Sequence, residues 1–289
     1  MATPRRATWH AIASTYARGD GGGHVMRKNG LVALSFHALF LLCLAAPLIV
    51  IVLVSFTAKG YLAMPFDGAS LRWYRALLRV PEFATALRTS LGLGITSASL
   101  ALALAVPAAL ALTRGAFRGR GLIHGVLMSP LLIPHIVLGV AFLRFFTDLG
   151  LNGRFASLVV AHTLIVMPYA LRLCLTSAGD LDRSLEHAAL SLGASTWTVF
   201  RRITLRLLVP GLASGWLLAF IHSFDELTMS VFIASPTMTP LPVRLYLRIE
   251  DSIDPTVAAI STLLIVGALG LILVIDRLIG LERLFAGSR

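Results

Sequence analysis

The sequence predicts an all-α, polytopic membrane bundle with six transmembrane helices. Three observations predict it. The 289-residue chain is 57% apolar and only 13% charged, against about 25% charged for a soluble domain. Six stretches hold no charged residue, over 29–58, 89–113, 121–143, 155–171, 207–224 and 255–275. Net charge is nonetheless +11, so the few charges are mostly basic and lie between the apolar runs. This distribution excludes a soluble enzyme domain, a disordered chain and a disulfide scaffold. The arginines are scattered and build no single basic face, so lipid is an expected partner and nucleic acid is not.

A helix needs about 20 apolar residues to cross the hydrocarbon, and lipid obliges each segment to satisfy its own backbone polar groups. The runs therefore predict spans at roughly 31–56, 89–112, 122–146, 155–177, 207–230 and 256–276. The first run is too long for a signal-peptide core and has no small-residue cleavage site near its end, so it reads as a retained anchor. In the second, Gly92, Gly94, Ala98, Ala101 and Ala105 suit close contact between helices. Pro107, Pro130, Pro134 and Pro168 fall within helical runs, where kinks are expected. Arg144 and Arg172 lie near helix ends, from which long basic side chains snorkel to the interface. Cys43 and Cys174 both sit in apolar runs and read as small buried hydrophobes. Between the first two spans, Leu71, Trp73, Tyr74, Leu77 and Leu78 predict a partly amphipathic helix along the outer interface.

Orientation follows from the basic residues. With the N-terminus inside, the inner segments hold fifteen of the 25 Lys and Arg residues, among them Arg27, Lys28, Arg114, Arg118, Arg120, Arg183, Arg201, Arg202, Arg206 and Arg277. The outer segments hold seven, nearly neutralised by Asp67, Glu82, Asp148, Glu250, Asp251 and Asp254. Both termini are thus expected in the cytoplasm, with residues 1–30 and 281–289 as tails around a membrane domain at 31–280. Residues 1–25 are aperiodic and contain the flexible Gly19–Gly23 stretch, which makes Met26 a candidate translation start. N-terminal sequencing of the native protein checks this, and a mature chain that retains residues 1–25 removes it.

No catalytic motif is present. Lysine occurs only at 28 and 59, neither after a glycine, so a phosphate-binding P-loop is missing. His-Glu-x-x-His and Gly-x-Ser-x-Gly are missing too. His135 and His162 lie within apolar helices and read as hydrogen-bonded structural histidines before metal ligands. The chain is therefore not expected to be an enzyme, and no cofactor or metal is expected.

The longest inner loop, 180–206, carries the most information. Leu185, Ala188, Ala189 and Leu192 recur at helical spacing. Gly193 suits the left-handed residue that ends a helix, and Ser195 can cap a second helix over 196–206. Val199, Phe200 and Ile203 form the apolar face of that helix. Periodicity alone fits two arrangements equally: a projecting helix whose stripe a partner covers, or a helix lying on the membrane, anchored by Trp197 and the arginines.

The residues of this loop resemble the EAA loop of ABC-type importer permeases, whose pattern is Glu-Ala-Ala, three residues, Gly, nine residues, Ile-x-Leu-Pro. Ala188, Ala189, Gly193, Ile203 and Leu205 fall in register. His187 stands where the family has glutamate, with Glu186 immediately before it, and Arg206 replaces the proline, with Pro210 four residues later. Pro130–Gly139, Ser223–Thr228, Thr239–Tyr246 and Asp254–Ile260 resemble the spermidine/putrescine-type permeases. The resemblance implies the type I ABC importer fold in a bacterial inner membrane. It implies a coupling helix seated in a separate ATP-binding cassette subunit dimer, formed by Glu186, His187, Ala188, Ala189, Gly193, Ala194, Ile203 and Leu205. It also implies a second permease subunit in a heterodimer, and a periplasmic or extracellular solute-binding protein that the outer loop 57–88 helps to meet. The solute is expected to be a polyamine or another small molecule, with thiamine-like compounds, phosphonates and iron chelates also open.

Asp225 and Glu226 are adjacent acids directly at the end of a membrane run. A helix starting at Leu207 and rising about 1.5 Å per residue carries Asp225 about 27 Å up, into the outer part of the membrane. Two readings stand: a cation-attracting station on the path with His222 and Ser223 nearby, or an interfacial acid that pairs with an arginine or faces water. An ion-coupled secondary transporter is the alternative function, and it leaves the loop pattern unexplained. An intramembrane enzyme would have only His222, Asp225 and Glu226 as catalysts.

Overall fold

Leucine- and alanine-rich runs satisfy their backbones as helices, and the helices meet where side chains are small. The computed structural model describes residues 30–65, 68–252 and 254–279. The expected tails, apart from Gly30, and the candidate start at Met26 lie outside these. The described residues are helical, with two isolated antiparallel bridges, Thr57 with Ala69 and Ser235 with Met238. The chain divides into two units, up to Ile49 and from Val50 onward. In the first, helix α1 (Leu31–Val54) begins. Its side chains are largely exposed, with Leu39 at 67% and Leu41 at 63%, and Cys43 is exposed where sequence placed it in a core.

The second unit contains α2 (Arg72–Leu77), α3 (Pro81–Arg114), α4 (Arg120–Met128), a 3-10 turn (Ser129–Leu131), α5 (His135–Asp148), α6 (Phe155–Gly179) and α7 (Ser184–Ser191). Then comes α8 (Thr196–Phe224), a single helix with a π turn at Phe200–Thr204. It is followed by α9 (Ser230–Ile233), α10 (Leu241–Asp251) and α11 (Pro255–Ile279). The helix expected at 71–78 is the short α2. It is tied down by the Trp73 indole N–H to the Thr57 carbonyl at 3.0 Å and by Tyr74 to Ser55 at 2.7 Å.

The core is the packing of α3, α6 and α8. Ala98, Ala101, Ala105 and Ala109 of α3 are fully buried at spacings of three and four, as a tight helix seam requires. Facing them on α6 are Ala161, Val166 and Ala170. Glycines set the closest approaches. A β-carbon on Gly94 would lie 2.9 Å from the Phe220 ring, and one on Gly211 would lie 1.7 Å from Ser177 Oγ. The Trp216 indole N–H donates to Ser99 Oγ at 3.0 Å and locks α8 to α3. A smaller cluster of Phe83, Ala86, Leu241 and Ile260 joins the start of α3 to α10 and α11. There the Leu241 backbone N–H donates to the buried Ser90 Oγ at 2.7 Å.

Six spans are the expectation. Among the described residues four helices are long and apolar enough, or five if α4 and α5 count as one broken span. The run expected as one helix at 122–146 bends by 97° between Leu131 and His135, because Pro130 and Pro134 withdraw donors within five residues. Helices α3 and α6 run on through Pro107 and Pro168. Sequence also began the second span at 89, but α3 starts at Pro81, where proline suits the first helical position. The last run is an apolar helix over Pro255–Gly270 within α11.

Candidate functional site

Two regions gather the sequence-predicted residues. The first is the loop between α6 and α8. It begins at Asp182, whose carboxylate accepts from the Ser184 backbone N–H at 2.9 Å and its hydroxyl at 2.7 Å. These two bonds hold the exposed Asp182 carboxyl below its usual pKa. Helix α7 follows, and two residues past its end Gly193 has a φ of +87°, the left-handed conformation expected. Ser195 Oγ then accepts from the Thr198 backbone N–H at 3.2 Å and caps α8, again as expected. The second loop helix differs from expectation in one respect. It does not stop at 206 but continues into the span through the π turn, so the loop and the next span are one helix.

The loop has two faces. Glu186 turns inward and is 8% exposed. Its Oε1 accepts from Arg114 Nη2 at 2.6 Å and from the Thr204 hydroxyl. Burial alone raises the pKa of this carboxyl, but the Thr204 and Arg114 hydrogen bonds and the charges of Arg114 and Arg183 outweigh it, and the net shift is down. A lowered folded pKa gives stabilisation that is present above the unfolded value and lost only as pH falls through the folded one. The pair is therefore charged throughout the neutral range. Arg183 Nη2 donates to the Thr113 carbonyl at 3.1 Å and closes the end of α3. On the other face, His187, Ala188 and Gly193 are exposed, together with Leu185 at 50%, Leu192 at 89% and Trp197 at 66%. Ala189, Ala194, Ile203 and Leu205 are half-buried.

The second region is the turn after α8. Helix α8 ends at Phe224, and Asp225 is its exposed C-terminal residue. Glu226 behaves differently. It is 7% exposed, its Oε2 lies 2.6 Å from His135 Nδ1, and its Oε1 accepts from the Met229 backbone N–H at 2.7 Å. His162 is fully buried on α6. Its Nδ1 lies 2.9 Å from Ser223 Oγ and its Nε2 lies 2.9 Å from Ser230 Oγ. One imidazole thus clasps both ends of the acidic turn through its two ring nitrogens. His222 stacks on Tyr169, ring centroids 3.8 Å apart. Among the described residues no cluster of three or more His, Cys, Asp or Glu could hold a metal ion.

The comparisons agree on a class. The family model of the binding-protein-dependent transport system inner membrane component matches residues 101–281. The chain belongs to this family. It is 31% identical over 229 residues to the spermidine/putrescine transport system permease protein PotC of Escherichia coli strain K12, covering 79% of this chain and 86% of that one. It is 33% identical over 236 residues to the putrescine transport system permease protein PotI of the same strain, covering 79% and 83%. Its fold is shared with a chain of a bacterial ABC transporter involved in alginate import, at a TM-score of 0.72 and 19% identity, covering 96% of this chain and all of that one. The protein is a permease subunit of an ABC importer and a multi-pass inner membrane protein. Permeases of this family are not enzymes themselves, and the ATPase lies in a separate subunit.

Several residues of the two regions carry no sequence signal. Arg114 reads only as a positive-inside charge, yet it is 72 residues from the Glu186 it pairs with. Thr204, Tyr169 and Ser230 are likewise brought in by packing alone. His135 and His162 read as hydrogen-bonded structural histidines, and the bonds described above are the ones they make.

Proposed function

We propose that this permease spans the membrane six times with both termini in the cytoplasm, in the type I importer arrangement, and pairs with a different second permease to form the path for a polyamine. A solute-binding protein delivers the cation outside, and an ATP-binding cassette dimer seats on the inner loop. The exposed stripe of Leu185, Leu192 and Trp197 around His187, Ala188 and Gly193 supports the docking surface, because an apolar patch of this kind otherwise faces water at a cost. Ala189, Ala194, Ile203 and Leu205 are half-buried in the same loop.

The observation that carries the solute reading is the acidic turn. Asp225 is exposed and adjoins Glu226, which the protein itself holds with His135 and a backbone N–H. A carboxylate kept near the membrane faces a cavity or a partner, and the Tyr169–His222 stack lies one turn before it. An ammonium group fits both features, through charge and through the ring face. PotC and PotI, by name, handle such amines. Family membership leaves the ion-coupled alternative without support.

The test is uptake of radiolabelled putrescine by proteoliposomes holding the whole importer. Uptake is expected to need ATP, to stop with a hydrolysis-dead ATPase, and to fall about tenfold or more with Asp225→Asn, the size of a typical coupling free energy. ATP-independent uptake driven by an ion gradient overturns the importer reading. Full uptake by Asp225→Asn overturns the station.

A further inference from the structure

We infer that Glu186 is a positioning residue that joins the docking helix α7 to two membrane helices, so that α3 and α8 move together when the ATPase moves α7. The inference rests on the docking reading above and assigns Glu186 a task inside the permease. It is not a contact with the ATPase.

The geometry carries it. One buried carboxylate oxygen serves two donors from different elements, the guanidinium of Arg114 and the hydroxyl of Thr204. Arg114 is the last residue of α3. Thr204 is the last residue of the π turn in α8 and is 1% exposed. A second tie runs from Arg183, just before α7, to the carbonyl of Thr113, where a cation also meets the negative end of the α3 dipole. Both ties leave from the start of α7, while its far side, from His187 to Leu192, is mostly exposed. Pull on that exposed side therefore reaches α3 through the Glu186 carboxylate and the Arg183 guanidinium, and reaches Thr204 of α8 through the carboxylate. The π turn fits this task, since such single turns recur at functional sites in otherwise regular helices. It is also the place where α8 leaves the loop and enters the span.

Charge is the decisive element. A buried carboxylate is held by its cation and its hydrogen bonds, and losing the ionic partner leaves the geometry loose. Exchange for the isosteric amide keeps shape and one hydrogen bond while removing the ion pair.

The test uses the assembled importer with putrescine as probe and measures three quantities: capture of the ATPase, ATP hydrolysis and putrescine taken up per ATP. For Glu186→Gln, ATPase capture is expected at wild-type affinity, while uptake per ATP falls about tenfold. The charge swap Glu186→Arg with Arg114→Glu is expected to restore most of the ratio, which a lost docking contact could not do. Thr204→Val, which deletes one hydroxyl, shifts the ratio in the same direction by less and keeps the test open if the amide variant inserts poorly. Weakened ATPase capture by Glu186→Gln overturns the inference, because the carboxylate then faces the partner. A wild-type ratio in both single variants also overturns it. Failure of the wild-type chain to capture the ATPase overturns the docking reading instead, and so separates the two.

Discussion

Gly211→Leu is expected to leave no stable permease. Gly211 lies in α8 where that helix crosses the C-terminal end of α6, and a β-carbon there would stand 1.7 Å from Ser177 Oγ and 2.6 Å from Ser177 Cβ. The hydroxyl can rotate away, but the β-carbon cannot move unless α6 moves. Four residues along, a β-carbon on Gly215 would already lie 3.3 Å from the Ala170 carbonyl oxygen, so the two backbones have no slack to share. Even Gly211→Ala overpacks the seam and should cost about 1–3 kcal/mol. A leucine side chain adds three carbons beyond that β-carbon and belongs with the exceptional losses above about 4 kcal/mol. Thermal unfolding of the purified importer measures the first effect, and membrane yield measures the second. Ser177→Gly combined with Gly211→Ala should recover most of the lost stability. An unchanged melting temperature in Gly211→Ala contradicts the close approach.

The second large effect is at His162. His162→Leu removes an imidazole that satisfies two buried hydroxyls, Ser223 at 3% exposure and Ser230 at 0%. Interhelical hydrogen bonds in membrane bundles average only about 0.6 kcal/mol. An orphaned buried partner is a different matter and costs about 1–3 kcal/mol each. The orphan effect wins here, so a loss of about 2–6 kcal/mol is expected. Adding Ser223→Ala and Ser230→Ala to His162→Leu should recover most of it, because no polar group is then stranded. Uptake should respond as well, since Ser223 and Ser230 bracket Asp225 and Glu226. Calorimetry of the single and triple variants tests the first claim. A triple variant no more stable than His162→Leu refutes the clasp.

Apolar runs in the sequence disclose where helices lie, because hydrocarbon tolerates little else, and the turn chemistry of Gly193 and Ser195 discloses how the loop between α6 and α8 folds. Direction is a different quantity. The run from 121 to 143 holds no charged residue, yet it turns by 97° at its prolines, and composition has no term for an angle. Charge gaps likewise mark where a span leaves water, not where its helix begins. Arg206 looked like a boundary, but α8 carries it without interruption from Thr196. Within the acidic pair, sequence treats Asp225 and Glu226 alike. Packing separates them, since one ends a helix in the open and the other meets His135, 91 residues away. Glu186 shows the same limit: its neighbours in the chain are the family's loop motif, while its neighbours in space are Arg114 and Thr204.

The continuity of α8 has a mechanical consequence. Its 29 residues reach from the capping Ser195 to the acidic turn, a rod about 43 Å long at 1.5 Å per residue. Pivoting such a rod about one end by roughly 10° sweeps its other end through about 7 Å, more than a full helical pitch. On the proposed coupling, a modest rocking of the loop between α6 and α8 is thereby geared up into a displacement of that size at the acidic turn. The straightness of α8 past its π turn and Pro210, together with the Glu186 tie at its base, then sets how faithfully a stroke at the loop reaches the acidic turn.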